Sequence, residues 1–188
     1  MRQVYTIGYA GYESVREMID VLKSLNIGCL IDVRSTPYST YHADFNKEPL
    51  AKELRKEGIL YRNYASEFGA RQKDFVNGEG YVDYEAFARS ERFAEGVRKV
   101  SKAIELGYAV VLMCAEKDPK DCHRGILIGR EMKKAGFAVN HILYPAEIET
   151  QEEMEARCVN SQISMFDTED PVERFYREQA KKISYRAE

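Results

Sequence analysis

Apolar residues in this chain follow two spacings. Short β-rich runs at 4–7, 29–33, 59–64, 108–114 and 138–143 are separated by stretches in which apolar positions recur every three or four residues. The first run leads into a loop, Gly8, Tyr9, Ala10 and Gly11. Beyond it Val15, Met18, Ile19, Leu22 and Leu25 form the stripe of an amphipathic helix, opened by Ser14 and Glu17 as a capping box. The second run leaves through a polar exit at 34–39. A helix near 49–56 stops at Gly58, and a longer helical pattern over 84–106, interrupted near Ser90, ends at Gly107. Residues 67–83 carry glycines and charges without a period and are expected to form a long loop.

Strands that alternate with helices predict a largely parallel sheet covered on both faces, because right-handed crossovers lay each helix over the strands it joins. The expected architecture is a three-layer α/β/α sandwich of Rossmann-like type with a mostly parallel five-stranded sheet. An order 3-2-1-4-5 would set the first and fourth strands at the switch point, where loops leaving the carboxyl ends build binding sites. Residues 1–145 form this α/β domain. Residues 146–188, where a charged stretch follows Pro145, read as a charged tail or appended helix outside the core.

With 188 residues, 44% hydrophobic and 31% charged, the chain suffices for one well-buried core rather than two. A net charge of -3 gives no global attraction for nucleic acid, so any such contact needs a local patch. No apolar run approaches the ~20 residues that span a bilayer, and the chain opens straight into a strand pattern, without a signal peptide. A cytoplasmic protein that makes no membrane contact is expected. In a reducing compartment Cys29, Cys114, Cys122 and Cys158 read as thiols, Cys29 as core packing.

The densest chemistry lies between the fourth strand and the following helix, where Cys114, Glu116, Cys122, His123 and Arg124 fall within one turn of chain. Asp121 is the expected N-cap of a helix carrying Ile126, Leu127, Ile128 and Met132 and closed by Gly136. Its first turn would hold Cys122, His123 and Arg124, where free N–H groups and the helix dipole favour an anion and lower a thiol's pKa. The candidate catalytic residues are Cys114 or Cys122 as nucleophile or redox centre, Glu116 or Asp32 as proton carrier, and His123 beside them. Gly8, Gly11, Arg34, Ser35 and Arg124 are the candidate anion-binding residues, with an internal Asp32–Arg124 ion pair competing for that role. His42, Tyr38, Tyr41, Tyr61 and Tyr64 could furnish a base-stacking rim with Arg62 and Arg71 near phosphates, but half-buried strand residues are the preferred reading of these tyrosines.

Nine residues between Cys114 and Arg124 are too many for the tight cradle of a tyrosine phosphatase. Zinc held by Cys114, Cys122 and His123 is conceivable. Adjacent cysteine and histidine rarely bind one ion together, however, and no fourth ligand has helpful spacing, so no metal or other cofactor is expected.

Taken in order, Thr6-Ile7-Gly8, Asp32-Val33-Arg34-Ser35, and Cys114-Ala115-Glu116 followed by Cys122-His123-Arg124 resemble the DUF488 family of α/β proteins, from the first strand to about Leu143. The resemblance implies a Rossmann-type three-layer sandwich with shared polar residues at one sheet edge; it implies no particular reaction. Where relatives often read Gly-His-Ser this chain has Gly8-Tyr9-Ala10, so no mechanism through a histidine at position 9 carries over. Phe68-Gly69-Ala70 likewise stands where relatives often read Leu-Gly-Gly.

Outside that stretch, Gln162-Ile163-Ser164-Met165-Phe166 resembles the bacterial sliding-clamp-binding motif, with Gln162 to hydrogen-bond and Met165 and Phe166 as apolar anchors. The expected function is an enzyme of unassigned reaction acting on a phosphate-bearing substrate, a nucleotide or nucleic acid, at the Cys/His/Arg/Asp pocket. The alternatives are a non-catalytic DNA-metabolism module held to a sliding clamp by its tail, and a thiol redox sensor.

Overall fold

The computed structural model of the chain describes residues 2–159 and 169–187. Its elements follow the apolar runs: β1 (Arg2–Gly8), α1 (Val15–Ser24), β2 (Cys29–Asp32), α2 (Lys47–Lys56), β3 (Leu60–Asn63) and the short α3 (Ala65–Phe68). They continue with α4 (Tyr84–Ala88), α5 (Glu91–Glu105), β4 (Val110–Cys114), α6 (Arg130–Lys134), β5 (Phe137–Leu143), β6 (Glu147–Thr150), α7 (Gln151–Val159) and α8 (Pro171–Ile183). The caps fall where the sequence places them. Ser14 accepts from the Glu17 amide, and Ser90 both interrupts the long helical pattern and caps α5 through the Phe93 amide.

The sheet has six strands in the order β3-β2-β4-β1-β5-β6, parallel except for the antiparallel edge strand β6. The three-layer α/β sandwich is therefore present, but the order 3-2-1-4-5 is corrected: β4 lies between β2 and β1. Gly8 pairs with Cys114, and Asp32 with Met113, so both neighbouring strands end beside the end of β4. The chains leaving β1 and β4 run to opposite sides of the sheet, the condition that opens a crevice at carboxyl ends.

Period-two alternation along β4 divides the core. Val111 and Met113 face Met18, Ile19, Leu22, Leu50 and Leu54 of α1 and α2. Val110, Leu112 and Cys114 face the other layer, where Phe93, Ile126, Met132 and Met154 pack. That parity puts the Cys114 side chain on the same side of the sheet as the chain that follows β4.

Two further expectations are corrected. Asp121 ends a one-turn 3-10 segment instead of capping a helix; Cys122, extended at φ -135, is the residue from which the helix starts. The helix begins as a π-helical segment, Arg124–Gly129, before α6. Its wide turn is seated by close approaches at its two glycines: a Cβ at Gly125 would lie 2.3 Å from the Pro119 carbonyl oxygen, and one at Gly129 2.2 Å from Gln151 Oε1. The second correction concerns the segment after Pro145, which is not outside the core. β6 extends the sheet, and Met154, Phe175 and Tyr176 are buried in the same cluster as β4.

Candidate active site

Cys114, at the end of β4, and Cys122, at the start of the following helix, are 3% and 2% exposed, and both sulfurs lie within hydrogen-bond reach of one oxygen, Glu116 Oε2, at 3.1 and 2.9 Å. Glu116 belongs to an exposed stretch of loop, yet its carboxyl turns inward to the sulfurs. His123 closes the group: its Nε2–H donates to the Val33 carbonyl at 3.1 Å, leaving Nδ1 at 3.7 Å from Cys114 Sγ and 3.8 Å from Cys122 Sγ. The adjacent residues converge because Cys122 is extended while His123 is already helical, which turns the sulfur and the imidazole toward one point. The Arg124 amide donates to Cys122 Sγ at 3.4 Å, so the sulfur caps its own helix.

These groups perturb one another. Pairing with Cys122, then burial, pushes the Cys114 thiol well above the ordinary cysteine range. Burial opposes ionisation of Cys122, but pairing with Cys114 and the charges of Arg124 and His123 prevail and hold it well below that range. Burial acts to lower His123, and the adjacent Cys122 outweighs it, so the imidazole is raised. Loss of water around the inward-turned carboxyl, reinforced by Cys122, raises Glu116. The two thiols are thus driven in opposite directions, Cys122 toward the thiolate and Cys114 away from it, with a carboxyl in contact with both sulfurs.

A cavity of about 190 Å³ opens on this group. Cys114, Glu116 and His123 contribute to its floor, and Tyr9, Arg34 and Arg71 to its wall. A slightly larger cleft of about 220 Å³ lies between Tyr84, Leu127, Arg130 and Tyr176, but no predicted catalytic or anion-binding residue lines it, so chemistry rather than size assigns the site.

The remaining predicted residues serve the frame. Asp32 is fully buried and holds Arg34 bidentately, accepting from Nε at 2.9 Å and from NH2 at 2.6 Å; it also accepts from the Arg34 amide and from the Tyr61 hydroxyl at 2.7 Å. With its acceptor sites engaged, Asp32 orients Arg34 and is not the proton carrier the sequence suggested. Its partner is Arg34, not Arg124.

Arg124 is fully buried and spends NH1 and NH2 on the carbonyls of Glu116 and Lys117, which ties down the loop carrying Glu116; its Nε has no partner. A guanidinium so placed acts on the site through its charge and not by holding a ligand. Gly8, expected in an anion loop, lies under that same loop: a Cβ there would fall 1.8 Å from the Glu116 carbonyl oxygen, so only glycine fits. Gly11 is likewise a packing position, against Tyr144, while Ser35 Oγ accepts the Arg71 amide at 2.9 Å and so anchors the cavity wall.

Sequence reasoning missed the part played by Tyr9, which stacks on Phe45 at 4.6 Å beneath the Arg34 guanidinium. Arg71, expected near phosphates beside a stacking rim, lines the cavity, whereas Tyr61 is held by Asp32 and Tyr38 and Tyr41 lie exposed away from it. Residues 67–83 have no period from which its position could be read. Gln162, Met165 and Phe166 of the clamp-like pentapeptide lie outside the described residues.

Fold and site together define an α/β protein of the doubly covered, mostly parallel type, with a cysteine–histidine–glutamate cluster at the carboxyl edge of its sheet. The profile of the family described as domain of unknown function DUF488 matches residues 14–130, and the chain belongs to that family. No curated protein matches the chain. Among the described residues no helix is long and apolar enough to cross a membrane.

Proposed function

We propose that the protein is an enzyme acting on a phosphate-bearing substrate, of nucleotide or nucleic-acid type, in the cavity above Cys114. The observation that carries this reading is the convergence of two thiols, a carboxyl and an imidazole on the floor of a cavity that has a cation in its wall. Arg71 is exposed and makes no ion pair among the described residues, so its charge is available to an incoming anion. Arg34, its charge balanced by Asp32, is held in place in the wall beside it. Cys114 faces the cavity and is the group that meets the substrate; Cys122, behind it, and Glu116 are placed to take its proton. All four cysteines are free, which suits a cytoplasmic, reducing setting.

The test is a thermal-shift series with inorganic phosphate, nucleotides and short oligonucleotides, run on wild type and Arg71→Ala, together with alkylation of Cys114. A phosphate-containing ligand is expected to raise the melting temperature of wild type only and to protect Cys114. Equal shifts in both proteins, or none in either, would sink the reading.

The spacing of the sulfurs favours a thiol redox sensor as the second reading, since both reach the same carboxyl oxygen. Mass mapping after mild oxidation then shows a reversible Cys114–Cys122 disulfide. Clamp binding by the tail is a separate proposal, resting on the pentapeptide alone. In a pull-down with purified clamp, Gln162→Ala combined with Phe166→Ala should abolish capture; undiminished capture would end it.

A further inference from the structure

We infer that Cys114, Cys122 and His123 are the ligands of a zinc-class divalent metal ion whose fourth position opens toward the cavity. The two sulfurs and Nδ1 all lie within 4.8 Å of one another. A tetrahedral ion with Zn–S near 2.3 Å and Zn–N near 2.0–2.1 Å sets its sulfur and nitrogen donors about 3.6 Å apart. The sulfur-to-Nδ1 separations are 3.7 and 3.8 Å, so these donors already stand close to the edges of such a tetrahedron.

Three features beyond distance support the assignment. The Nε2–H of His123 is spent on the Val33 carbonyl, the outer contact that typically fixes the ring of a metal-binding histidine and points its other nitrogen at the ion. The Arg124 amide donates to Cys122 Sγ, which steadies that sulfur as a ligand. Two sulfurs and an imidazole, nearly all buried, form a soft donor set that selects zinc, cobalt or iron(II) over magnesium or calcium.

The spacing objection disappears once Cys122 is extended and His123 helical; the three donors lie together without Glu116, which leaves the fourth position to water or to an oxygen of an anion. Because the cavity opens on Cys114 and His123, that position is accessible from it, as in catalytic rather than closed structural sites. The inference stands on the donor geometry, independently of the substrate reading above. If both hold, Cys114 serves as a ligand, and the cation, not a free thiolate, meets the substrate.

The experiment is reloading of chelator-stripped, full-length protein with zinc or cobalt(II). The expected result is one tightly bound ion per chain by elemental mass spectrometry and, with cobalt, a near-ultraviolet thiolate-to-metal charge-transfer band. Cys114→Ser and Cys122→Ser should each weaken binding by roughly 100-fold or more and diminish the band, whereas Cys29→Ser and Cys158→Ser should leave both intact. Circular dichroism reports whether the serine variants fold, and the wild-type titration decides without them. Absence of the thiolate band in reloaded wild type overturns the inference, as does an undiminished band in folded Cys114→Ser/Cys122→Ser double variant. Arg71→Ala should keep the band while losing the phosphate-induced thermal shift, so failure of the metal site and failure of the substrate reading are told apart.

Discussion

Two histidines are buried in this molecule, and their surroundings push them in opposite directions. His141, on β5, sits in a chain of neutral partners: Thr6 Oγ1 donates to its Nδ1 at 2.7 Å, and its Nε2–H donates to Gln151 Oε1 at 2.8 Å. Gln151 passes the chain on, donating to the Gly125 carbonyl at 2.9 Å and to the Tyr176 hydroxyl at 2.7 Å, and Tyr176 donates to Glu155. Burial, reinforced by the charge of Arg124, lowers the pKa of His141 to about 3, so the ring is neutral and structural. His123, equally sequestered, faces two sulfurs and a carboxyl at the floor of a cavity, and its pKa rises. A buried imidazole whose partners are satisfied and neutral holds a fold together; one among ionisable groups beside an opening is equipped for chemistry.

The comparison can be broken most forcefully with acid. The folded pKa of His141 is depressed below its ordinary 6.5, so the unfolded chain takes up that proton first. The stability contributed by the neutral ring is complete above about pH 6.5 and is lost as pH falls toward 3, on the order of 5 kcal/mol in all. Chemical denaturation of wild type and His141→Gln across that window should show a steep slope in the first and a flatter one in the second. Parallel slopes would mean that His141 is not the group responsible.

Gln151→Leu comes next. It strips three partners from the network at once, His141, the Gly125 carbonyl and the Tyr176 hydroxyl, and should cost on the order of 3 kcal/mol in a urea titration. Cobalt and phosphate binding should survive wherever the variant is folded. The smallest expected loss belongs to His123→Gln, about 1 kcal/mol, since the replacement amide can still reach the Val33 carbonyl. Its effect should instead appear in the cobalt spectrum and in Cys114 alkylation; a His123→Gln protein as unstable as Gln151→Leu would make the two histidines alike after all.

Much of this frame was legible locally. The Ser14 and Ser90 caps, the apolar strands and the clustering of Cys114, Glu116, Cys122 and His123 all depend on residues within a few positions of one another, and local patterns report local structure. What misled was also local reasoning carried too far. Asp121 looks like a cap because aspartate favours that position, but Asp118 captures the Lys120 amide at 3.0 Å, turns the chain one step early and leaves Cys122 to start the helix. The charged surface of 147–157 concealed Gln151 and Met154, which are fully buried under α8. Nothing local places Arg71 in the cavity wall: its amide bonds Ser35, 36 positions away, and its guanidinium lies over the Tyr185 ring.

The alternation of strands and helices, the family and the stretch of chain that carries the chemistry all follow from periodicity and short-range spacing, which are properties of neighbouring residues. That β4 enters between β2 and β1, that Asp32 and Arg124 are spent inside the frame, and that two sulfurs and an imidazole meet at one point came from the packed chain alone. Strand order is chosen by how crossover helices pack on the sheet. Burial and donor geometry then follow from contacts between segments far apart in the chain, which no local pattern records.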